Sequence, residues 1–491
     1  MWNAKNSKIG VWAWAFFIFA FSFIPRFLLL SKGPFHYDTA EFILVMQDKL
    51  AYPHAASFPF VSFFIISLGF IRDALFPWAA YQDVLFFSTS FISALTAVVI
   101  YLCFRKTIAD SSALSWALLT SCFAPFFSVT TYGRIDHALG QLFLVFSLFY
   151  FLSNTFWLCA FFTGLAIASR NENMIIFAGF FAYYVNIVFK KRHEGFLKQI
   201  LIFGARFLGI IFFSFAIVIL LALLVPNCRA YLNVFSSAIG INVQSDSMEV
   251  FSGFSLARFR QGWQALWHWA YMAVIWAVLG VFLGFLKEKK EEAVLFFVAF
   301  AVSFMLLVNM QTFSPRYLIP ASFFMFYFSS QAICFVFKKN IICATAMLFV
   351  CLTMLMPAKN ILYSRHVNNY QKDFALFVES ATEPDSIIII QDEHIFLKLY
   401  TKRKYLLPPV NCDQAQWDDF FGKIIVLNRA GYPVYLTSTA LGYDPCFILK
   451  SILQEHFYVK PMGMRRNESW YGKEVAQYFY NEHLFRILPS S

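Results

Sequence analysis

Long apolar segments recur along the sequence from residue 9 to residue 356, and they limit the folds that the chain can adopt. A helix that crosses a hydrocarbon core of about 30 Å needs about 20 mostly apolar residues. Hydrophobic residues make up 59% of the 491-residue chain and charged residues only 14%, against about 25% charged in soluble domains. We therefore predict a polytopic all-α membrane domain with about 11 transmembrane helices. They are placed near Ile9–Leu30, Tyr81–Phe104, Ala113–Thr131, His137–Leu152, Phe156–Ser169, Met174–Phe189, Phe203–Val225, Trp263–Leu286, Ala293–Met310, Tyr317–Phe337 and Ile341–Met356.

The distribution of Lys and Arg predicts the orientation of these spans. Cytoplasmic loops carry an excess of both residues. With the N-terminus in the cytoplasm, all inner loops except the turn at Asn154 are cationic, and an odd number of spans puts the C-terminus outside. The net charge of +11 then reflects the orientation of the chain in a lipid bilayer. No nucleic-acid partner is needed to explain it. The shorter apolar segment Phe58–Ile71 is predicted to lie along the outer membrane surface or to be partly re-entrant.

The composition changes after Met356, where charge rises and short apolar runs alternate with helix-like stretches. We predict two domains: residues 1–357 form the membrane domain, with a first outer loop at 32–80, and residues 358–491 form an extracytoplasmic α/β domain. No glycine-rich phosphate loop occurs in the second domain. Its predicted elements are strands at Ser386–Ile390 and Pro433–Thr437 and helices at Glu393–Tyr400, Trp417–Arg429 and Phe447–His456. Cys412 and Cys446 share this domain on the oxidising side, so they could form a disulfide.

The polar residues of the membrane domain gather on its predicted outer side. A transporter would place its key charges near the bilayer midplane and would show an inverted repeat, and neither feature is visible. Charges at one interface are instead expected of an enzyme that works at the outer face of the membrane. The residues are His36, Asp38, Glu41, His54, Arg134, Asp136, Arg170, Glu172, Arg258, Arg260 and Arg316.

Each of these motifs also has a plain structural interpretation. In HYDTAEF, a spacing of three puts Asp38 and Glu41 on one helical face. For this motif alone, a helix capping box is the interpretation to prefer. A capping Asp at the mouth of a cavity can still act as a base. The other candidates are read as a helix cap (Asp136), a snorkelling anchor (Arg134), a helix-end ion pair (Arg170 and Glu172), a lipid-headgroup contact (Arg316) and a turn (His54).

Taken in chain order, the motifs resemble the GT-C class of membrane glycosyltransferases, which includes protein O-mannosyltransferases and the lipid A aminoarabinose transferases. An acidic pair follows the first span, then a Pro-containing stretch, YPHAASFPF. An outward acid follows in YGRIDHAL, then a cation at the end of GLAIASR, and an Arg-Tyr-x-x-Pro motif begins a late span. The Pro-containing stretch lacks the paired prolines common in relatives, with His54 where the second often stands.

The resemblance implies a sugar donor on a polyprenyl phosphate and an acceptor hydroxyl on a protein, lipid or glycan. A poor nucleophile of this kind needs a carboxylate base, for which Asp38 is the first choice, with Glu41 and Asp136 orienting the base, the acceptor or a metal. Cations stabilise the charge that develops on the leaving phosphate, and the candidates are Arg316, Arg170, Arg134 and His54. The outward acids admit a divalent metal ion, but no spacing fixes its ligands, so no cofactor is assigned. The resemblance favours a bacterial or archaeal plasma membrane over the endoplasmic reticulum.

Two other functions stay open at this point. The chain could be a lipid or solute transporter with an outer sensor domain. It could also be a polymerase or ligase of surface polysaccharide, which would place acids and cations outside as well. The sequence does not identify the sugar, the acceptor or the lipid length.

Overall fold

The computed structural model of the chain describes residues 8–52, 55–190, 196–225, 255–286, 290–308, 314–337, 340–391, 394–409, 412–442, 448–468 and 479–489. The chain divides into two compact units. The membrane unit comprises Met1–Leu30 and Val45–Tyr363, and the C-terminal unit comprises Ser31–Leu44 and Ser364–Ser491. The segment 31–44, which belongs to the predicted first outer loop, thus clusters with the C-terminal residues.

The described helices up to residue 367 are mostly apolar. They are α1 (Lys8–Leu28), α2 (Tyr37–Asp48), α3 (Pro59–Leu75), α4 (Tyr81–Phe104), α5 (Asp110–Cys122), α6 (Ala124–Thr131), α7 (Ile135–Leu152), α8 (Phe156–Ser169), α9 (Ile176–Lys190), α10 (Phe196–Leu224), α11 (Leu256–Leu286), α12 (Lys290–Val308), α13 (Leu318–Val336), α14 (Asn340–Leu355) and α15 (Lys359–Val367). Single 3-10 turns precede α3, α9, α13 and α15, at Ala55–Ser57, Asn171–Ile175, Pro315–Tyr317 and Met356–Ala358.

Among the described residues, nine helical segments are long and apolar enough to cross a membrane, or ten if the bent pair α5–α6 counts as one span. The one predicted span that is not in this count is α8, whose 14 residues rise only about 21 Å. Every predicted span therefore coincides with a helix, and the prediction of a polytopic helical domain is confirmed. Whether α3 lies along the membrane surface stays a prediction, as does the side on which each terminus lies.

A buried arginine stabilises the bend between α5 and α6. Pro125 has no backbone N–H, so the carbonyl of Ser121, four residues earlier, lacks its usual helical donor. Arg26 of α1 supplies one, since its Nη2 donates to Ser121 O at 2.6 Å. Its Nε donates to Thr130 Oγ1 at 3.0 Å, which ties α1 to α6 as well. Because α6 leads directly into the turn before α7, this contact helps to set where α7 begins.

Helix pairs in the membrane unit approach closely where a residue is small. A Cβ on Gly280 of α11 would lie 2.0 Å from the carbonyl oxygen of Phe328 on α13, so only glycine permits this approach. Trp116 of α5 is fully buried and donates its indole N–H to Phe323 O of α13 at 2.9 Å. These contacts hold α13, whose first residues border the candidate site, against α5 and α11.

The C-terminal unit contains a five-stranded sheet with the strand order β2-β1-β3-β5-β4. Strands β1, β2 and β3 are parallel, and β5 joins β3 and β4 antiparallel. This arrangement confirms the predicted α/β fold, and all five predicted elements are present. The elements are α16 (Tyr370–Ala381), β1 (Ile387–Ile389), α17 (His394–Tyr400), β2 (Lys404–Leu406), α18 (Gln414–Arg429), β3 (Val434–Thr437), α19 (Ser438–Gly442), α20 (Ile448–His456), β4 (Phe457–Glu468) and β5 (Phe479–Pro489).

Apolar side chains from the helices cover both faces of this sheet. Trp417 and Ile424 of α18 pack with Ile389 and Leu436 in one buried cluster, and Phe374 of α16 belongs to a cluster on the other face. Cys412, just before α18, is disulfide-bonded. Its suggested partner, Cys446, lies outside the described residues.

Candidate active site

Asp136 lies at the start of α7 and accepts hydrogen bonds from two buried arginines. Arg134 reaches it in two places, with Nε 3.0 Å from Oδ1 and Nη2 2.7 Å from Oδ2. Arg170 donates from Nη1 to Oδ2 at 2.5 Å. All three side chains are buried, and a fork of this kind is the strong form of a charge-assisted hydrogen bond. Asp136 therefore joins the start of α7 to the end of α8.

Arg170 directly follows the last residue of α8, Ser169, and it is fixed by a second carboxylate. Its Nε donates to Glu172 Oε2 at 3.1 Å, and its Nη2 pairs with Glu172 Oε1. Asn173 donates from Nδ2 to Ala166 O at 2.9 Å, a carbonyl that also accepts the backbone N–H of Arg170. The helix-end ion pair expected from the sequence is present, and Asp136 extends it into a network.

Arg316 reaches the same region from the turn Pro315–Tyr317, just before α13. It lines a cavity that is partly open to solvent, together with residues from α7, from the end of α8 and from the following turn. Its guanidinium carbon is 5.3 Å from the centre of the Tyr317 ring. The complete lining is His137, Gln141, Arg170, Glu172, Asn173, Arg316, Tyr317, Ile319 and Pro320. The structure thus brings Arg170 and Arg316 together at one cavity. Arg134 is joined to Arg170 because both arginines pair with Asp136.

Two lining residues, His137 and Gln141, were not predicted from the sequence. They lie four residues apart on α7 and are 5% and 3% exposed. The signal was present as a polar pair at helical spacing in an otherwise apolar span.

The described charged residues in and beside the cavity include both signs. Asp136 pairs with Arg134 and Arg170, Glu172 pairs with Arg170, and Arg316 lines the cavity with Arg170 and Glu172. Both oxygens of Asp136 are engaged by arginines, so this carboxylate fits a counter-ion rather than a metal ligand. In the described part of the chain, no cluster of three or more His, Cys, Asp or Glu side chains could hold a metal ion.

Asp38 and Glu41 belong to the C-terminal unit and are both buried. Helix α2 begins at Tyr37, so Asp38 lies in its first turn. The backbone N–H of Asp38 donates to His36 Nδ1 at 3.2 Å, and that nitrogen is 3.4 Å from Asp38 Oδ2. His54, the remaining candidate, lies outside the described residues.

The segment that carries Asp38 is held by other parts of the C-terminal unit. Gln371 of α16 donates from Nε2 to Phe35 O at 3.2 Å, and the guanidinium carbon of Arg365 is 3.3 Å from the centre of the Phe35 ring. The hydroxyl of Tyr37 is 3.3 Å from Nε2 of His394, the first residue of α17. These contacts fix the residues on either side of His36.

Comparison with known proteins finds similar structures but no similar sequences. No protein-family model and no curated protein sequence matches the chain. ArnT from Cupriavidus metallidurans bound to undecaprenyl phosphate is similar at a TM-score of 0.54 and 11% identity, over 98% of both chains. The Archaeoglobus fulgidus oligosaccharyltransferase AglB, in complex with an inhibitory peptide and a dolichol-phosphate, gives 0.54 and 13% identity over 100% of this chain and 77% of its own. The Archaeoglobus oligosaccharyltransferase in its apo form is similar at a TM-score of 0.53 and 12% identity, over 88% of this chain and 70% of its own.

The chain has a GT-C-type fold. The resemblance suggested by the sequence motifs is therefore confirmed at the level of the fold, and the chain is an integral membrane protein. At these identities the likeness carries no information about individual side chains. The roles predicted for Asp38, Glu41, Asp136, Arg134, Arg170, Arg316 and His54 stay predictions.

Proposed function

We propose that the chain is a glycosyltransferase that moves a sugar from a polyprenyl-phosphate-linked donor to a hydroxyl of a protein, lipid or glycan acceptor on the extracytoplasmic face of the membrane. The observation that carries this proposal is the cavity bordered by Arg170 and Arg316, with Asp136 and Glu172 holding Arg170 in place. The similar structures of ArnT and AglB, one with undecaprenyl phosphate and one with a dolichol-phosphate, support it.

The proposed reaction places new charge where these cations lie. The acceptor oxygen forms a bond to the anomeric carbon while the bond from that carbon to the phosphate oxygen breaks. The electron pair of the broken bond remains on the lipid phosphate, whose negative charge therefore increases. Guanidinium groups already fixed by carboxylates stabilise this charge without reorganising during the reaction.

The proton of the acceptor hydroxyl needs a base, and we assign this role to Asp38. The assignment comes from the acidic pair after the first span, and Glu41 is assigned to orient the base or the acceptor. A positioned base contributes about 10²- to 10⁴-fold to the rate. Loss of the Asp38 carboxylate should therefore nearly abolish transfer and leave donor binding intact.

The experiment measures transfer of tritium-labelled hexoses from undecaprenyl phosphate to membrane acceptors in vesicles that contain the full chain. We expect transfer by the wild type and a loss of about 10²-fold or more in Asp38→Asn. Asp83→Asn, which changes an acid in the first turn of α4, is the matched control and should keep full activity. Full activity in Asp38→Asn would refute the base assignment, and absence of transfer with every labelled hexose would refute the function.

A further inference from the structure

Two buried polar atoms face the candidate site without a hydrogen-bond partner. They are Nε2 of His137 and Nε2 of Gln141, and no described residue satisfies either one. Asp136 Oδ2 is 4.0 Å from the imidazole nitrogen, too far for a hydrogen bond. Leaving a buried polar group unpaired costs free energy, so each such group in a folded protein calls for an explanation.

The position of the two side chains indicates what could satisfy them. A spacing of four puts His137 and Gln141 on the same face of α7, and both line the cavity that Arg170 and Arg316 border. A ligand in that cavity therefore meets two guanidinium groups together with an imidazole and an amide. The amide nitrogen of Gln141 is an uncharged donor, and Nε2 of His137 is one when it carries the ring proton. A ligand with acceptor oxygens satisfies both, and the two guanidinium groups favour one with negative charge.

The engagement of Arg170 explains why such donors are useful here. Three of its N–H groups already donate to Asp136 and Glu172. Two of its five N–H groups remain for a ligand. A phosphate diester has two unesterified oxygens, and each can accept more than one hydrogen bond. Uncharged donors add hydrogen bonds to these oxygens without adding charge.

We propose that His137 and Gln141 are phosphate-binding residues that donate hydrogen bonds to the single phosphate group of a polyprenyl-phosphate sugar. The identity of the lipid rests on the proposed function, whereas the phosphate site rests on the geometry of the cavity. Neither residue forms or breaks a bond in the reaction. Both hold the phosphate against the arginines.

The test measures binding of undecaprenyl phosphate and, separately, of inorganic phosphate to the purified full chain in detergent. A hydrogen bond to a charged group contributes enough that its loss weakens binding about tenfold to hundredfold. We expect losses of this size in Gln141→Leu and His137→Phe, and a larger loss in Gln141→Glu, which keeps the shape but adds a negative charge. His137→Gln keeps a donor and should recover part of the affinity.

The matched control is Gln331→Leu, the same change on α13, in a different cavity lined also by Gly280 and Glu292. It should bind undecaprenyl phosphate as the wild type does. In the transfer assay, Gln141→Leu should raise the KM for the donor and leave the KM for the acceptor unchanged. A loss of folding alone would instead lower kcat for every substrate, and it would not be reversed by the conservative His137→Gln change.

The outcomes separate this inference from the proposed function. Wild-type affinity for undecaprenyl phosphate in both Gln141→Leu and His137→Phe, with affinity lost in Arg316→Gln, would overturn the inference and leave the function standing. Inorganic phosphate binding as tightly as undecaprenyl phosphate would overturn the assignment to a lipid-linked ligand. The expected losses in a protein that transfers no sugar would support the phosphate site and refute the function.

Discussion

The membrane unit holds buried arginines in two settings, and the contrast shows how a structural cation differs from one available to a ligand. Arg26 is fully buried, and within the described part of the chain it donates to uncharged oxygens, those of Ser22, Ser121 and Thr130. Arg170 is paired with two carboxylates and borders a cavity. The oxygens around Arg26 belong to helices that it joins, whereas the carboxylates around Arg170 leave one side of the group facing open space.

The partners explain why the two settings are not interchangeable. A charge in a low-dielectric interior is expensive unless it is well solvated by the protein. Five short contacts and the ring of Phe127, whose centre is 4.5 Å from the guanidinium carbon, replace water around Arg26. Near the cavity, carboxylates replace water around Arg170. Because these carboxylates stay in place, Arg170 remains stabilised whether or not an anion occupies the cavity.

The largest expected effect follows from removing the central carboxylate, in Asp136→Asn. Two buried arginines then lose a counter-ion, and breaking a buried pair from one side costs about 3–5 kcal/mol. We expect a large fall in the thermal stability of the detergent-solubilised chain, together with loss of undecaprenyl phosphate binding. Asp110→Asn, which removes the partially exposed partner of Arg105, is the control and should change stability by about 1 kcal/mol or less.

A second substitution tests whether the loss of stability in Asp136→Asn comes from unbalanced charge. Adding Arg134→Gln to Asp136→Asn restores the balance of buried charges, so part of the lost stability should return. If Asp136→Asn is as stable as the wild type, the carboxylate does not compensate the arginines and the contrast with Arg26 fails.

A smaller effect is expected at Arg26, and it should be confined to stability. Arg26→Met removes the donor to Ser121 O, and leaving a buried carbonyl unsatisfied costs about 1–3 kcal/mol. The affinity for undecaprenyl phosphate should stay within about threefold of the wild type, in contrast to Asp136→Asn. The measurement is a thermal unfolding curve paired with a binding isotherm on the same preparation.

The double substitution Arg26→Met with Pro125→Ala tests the cause. Alanine at 125 restores the N–H that proline lacks, so Ser121 O regains a helical donor. The stability cost of Arg26→Met should then be smaller in the Pro125→Ala background than in the wild type, by about 1 kcal/mol. Equal costs in the two backgrounds would show that Arg26 does not act through the bend.

The two settings were not equally visible in the sequence. The spans follow directly from runs of apolar residues, since nearly every position there is apolar whatever the helix packs against. Arg26 lies near the end of one such run beside Pro25, and a charge inside a span is a signal in its own right. Its partners outside α1 are 95 and 104 residues away, and no local pattern connects them with Arg26.

The same limit applies to the candidate site. Arg134, Arg170 and Arg316 were predicted from their motifs, because cations at span ends stand out. Their joint position around Asp136 depends on how α7, α8 and α13 pack, which the sequence does not encode locally. In the C-terminal unit, the buried strands β1 and β3 were predicted from apolar runs. The β4–β5 hairpin was missed, because much of β4 is polar and exposed.

The weakest expected effect extends the contrast to groups outside the spans. Burial lowers the pKa of His394, with a smaller contribution in the same direction from Lys398. The pKa shift of His394 favours its neutral form, whereas that of Asp73 favours its charged form. Hydrogen bonds from Lys49 and Tyr81 lower the pKa of Asp73 to about 2. Asp73 should therefore keep its pairing over the whole neutral and mildly acidic range, whereas the contact of His394 with Tyr37 should depend on pH there.

The sign of that dependence follows from linkage. A histidine that is harder to protonate when folded stabilises the folded form above its unfolded pKa of about 6.5, and this contribution falls as the pH drops below that value. We expect amide protection of residues 36–41 and 394–400 to weaken between pH 7.5 and 5.5, by at most tenfold per pH unit below 6.5. Hydrogen exchange with mass spectrometry, corrected for intrinsic rates, measures this. His394→Gln should remove the dependence, and protection that rises on acidification would mean that His394 gains an anionic partner in place of the uncharged Tyr37 hydroxyl.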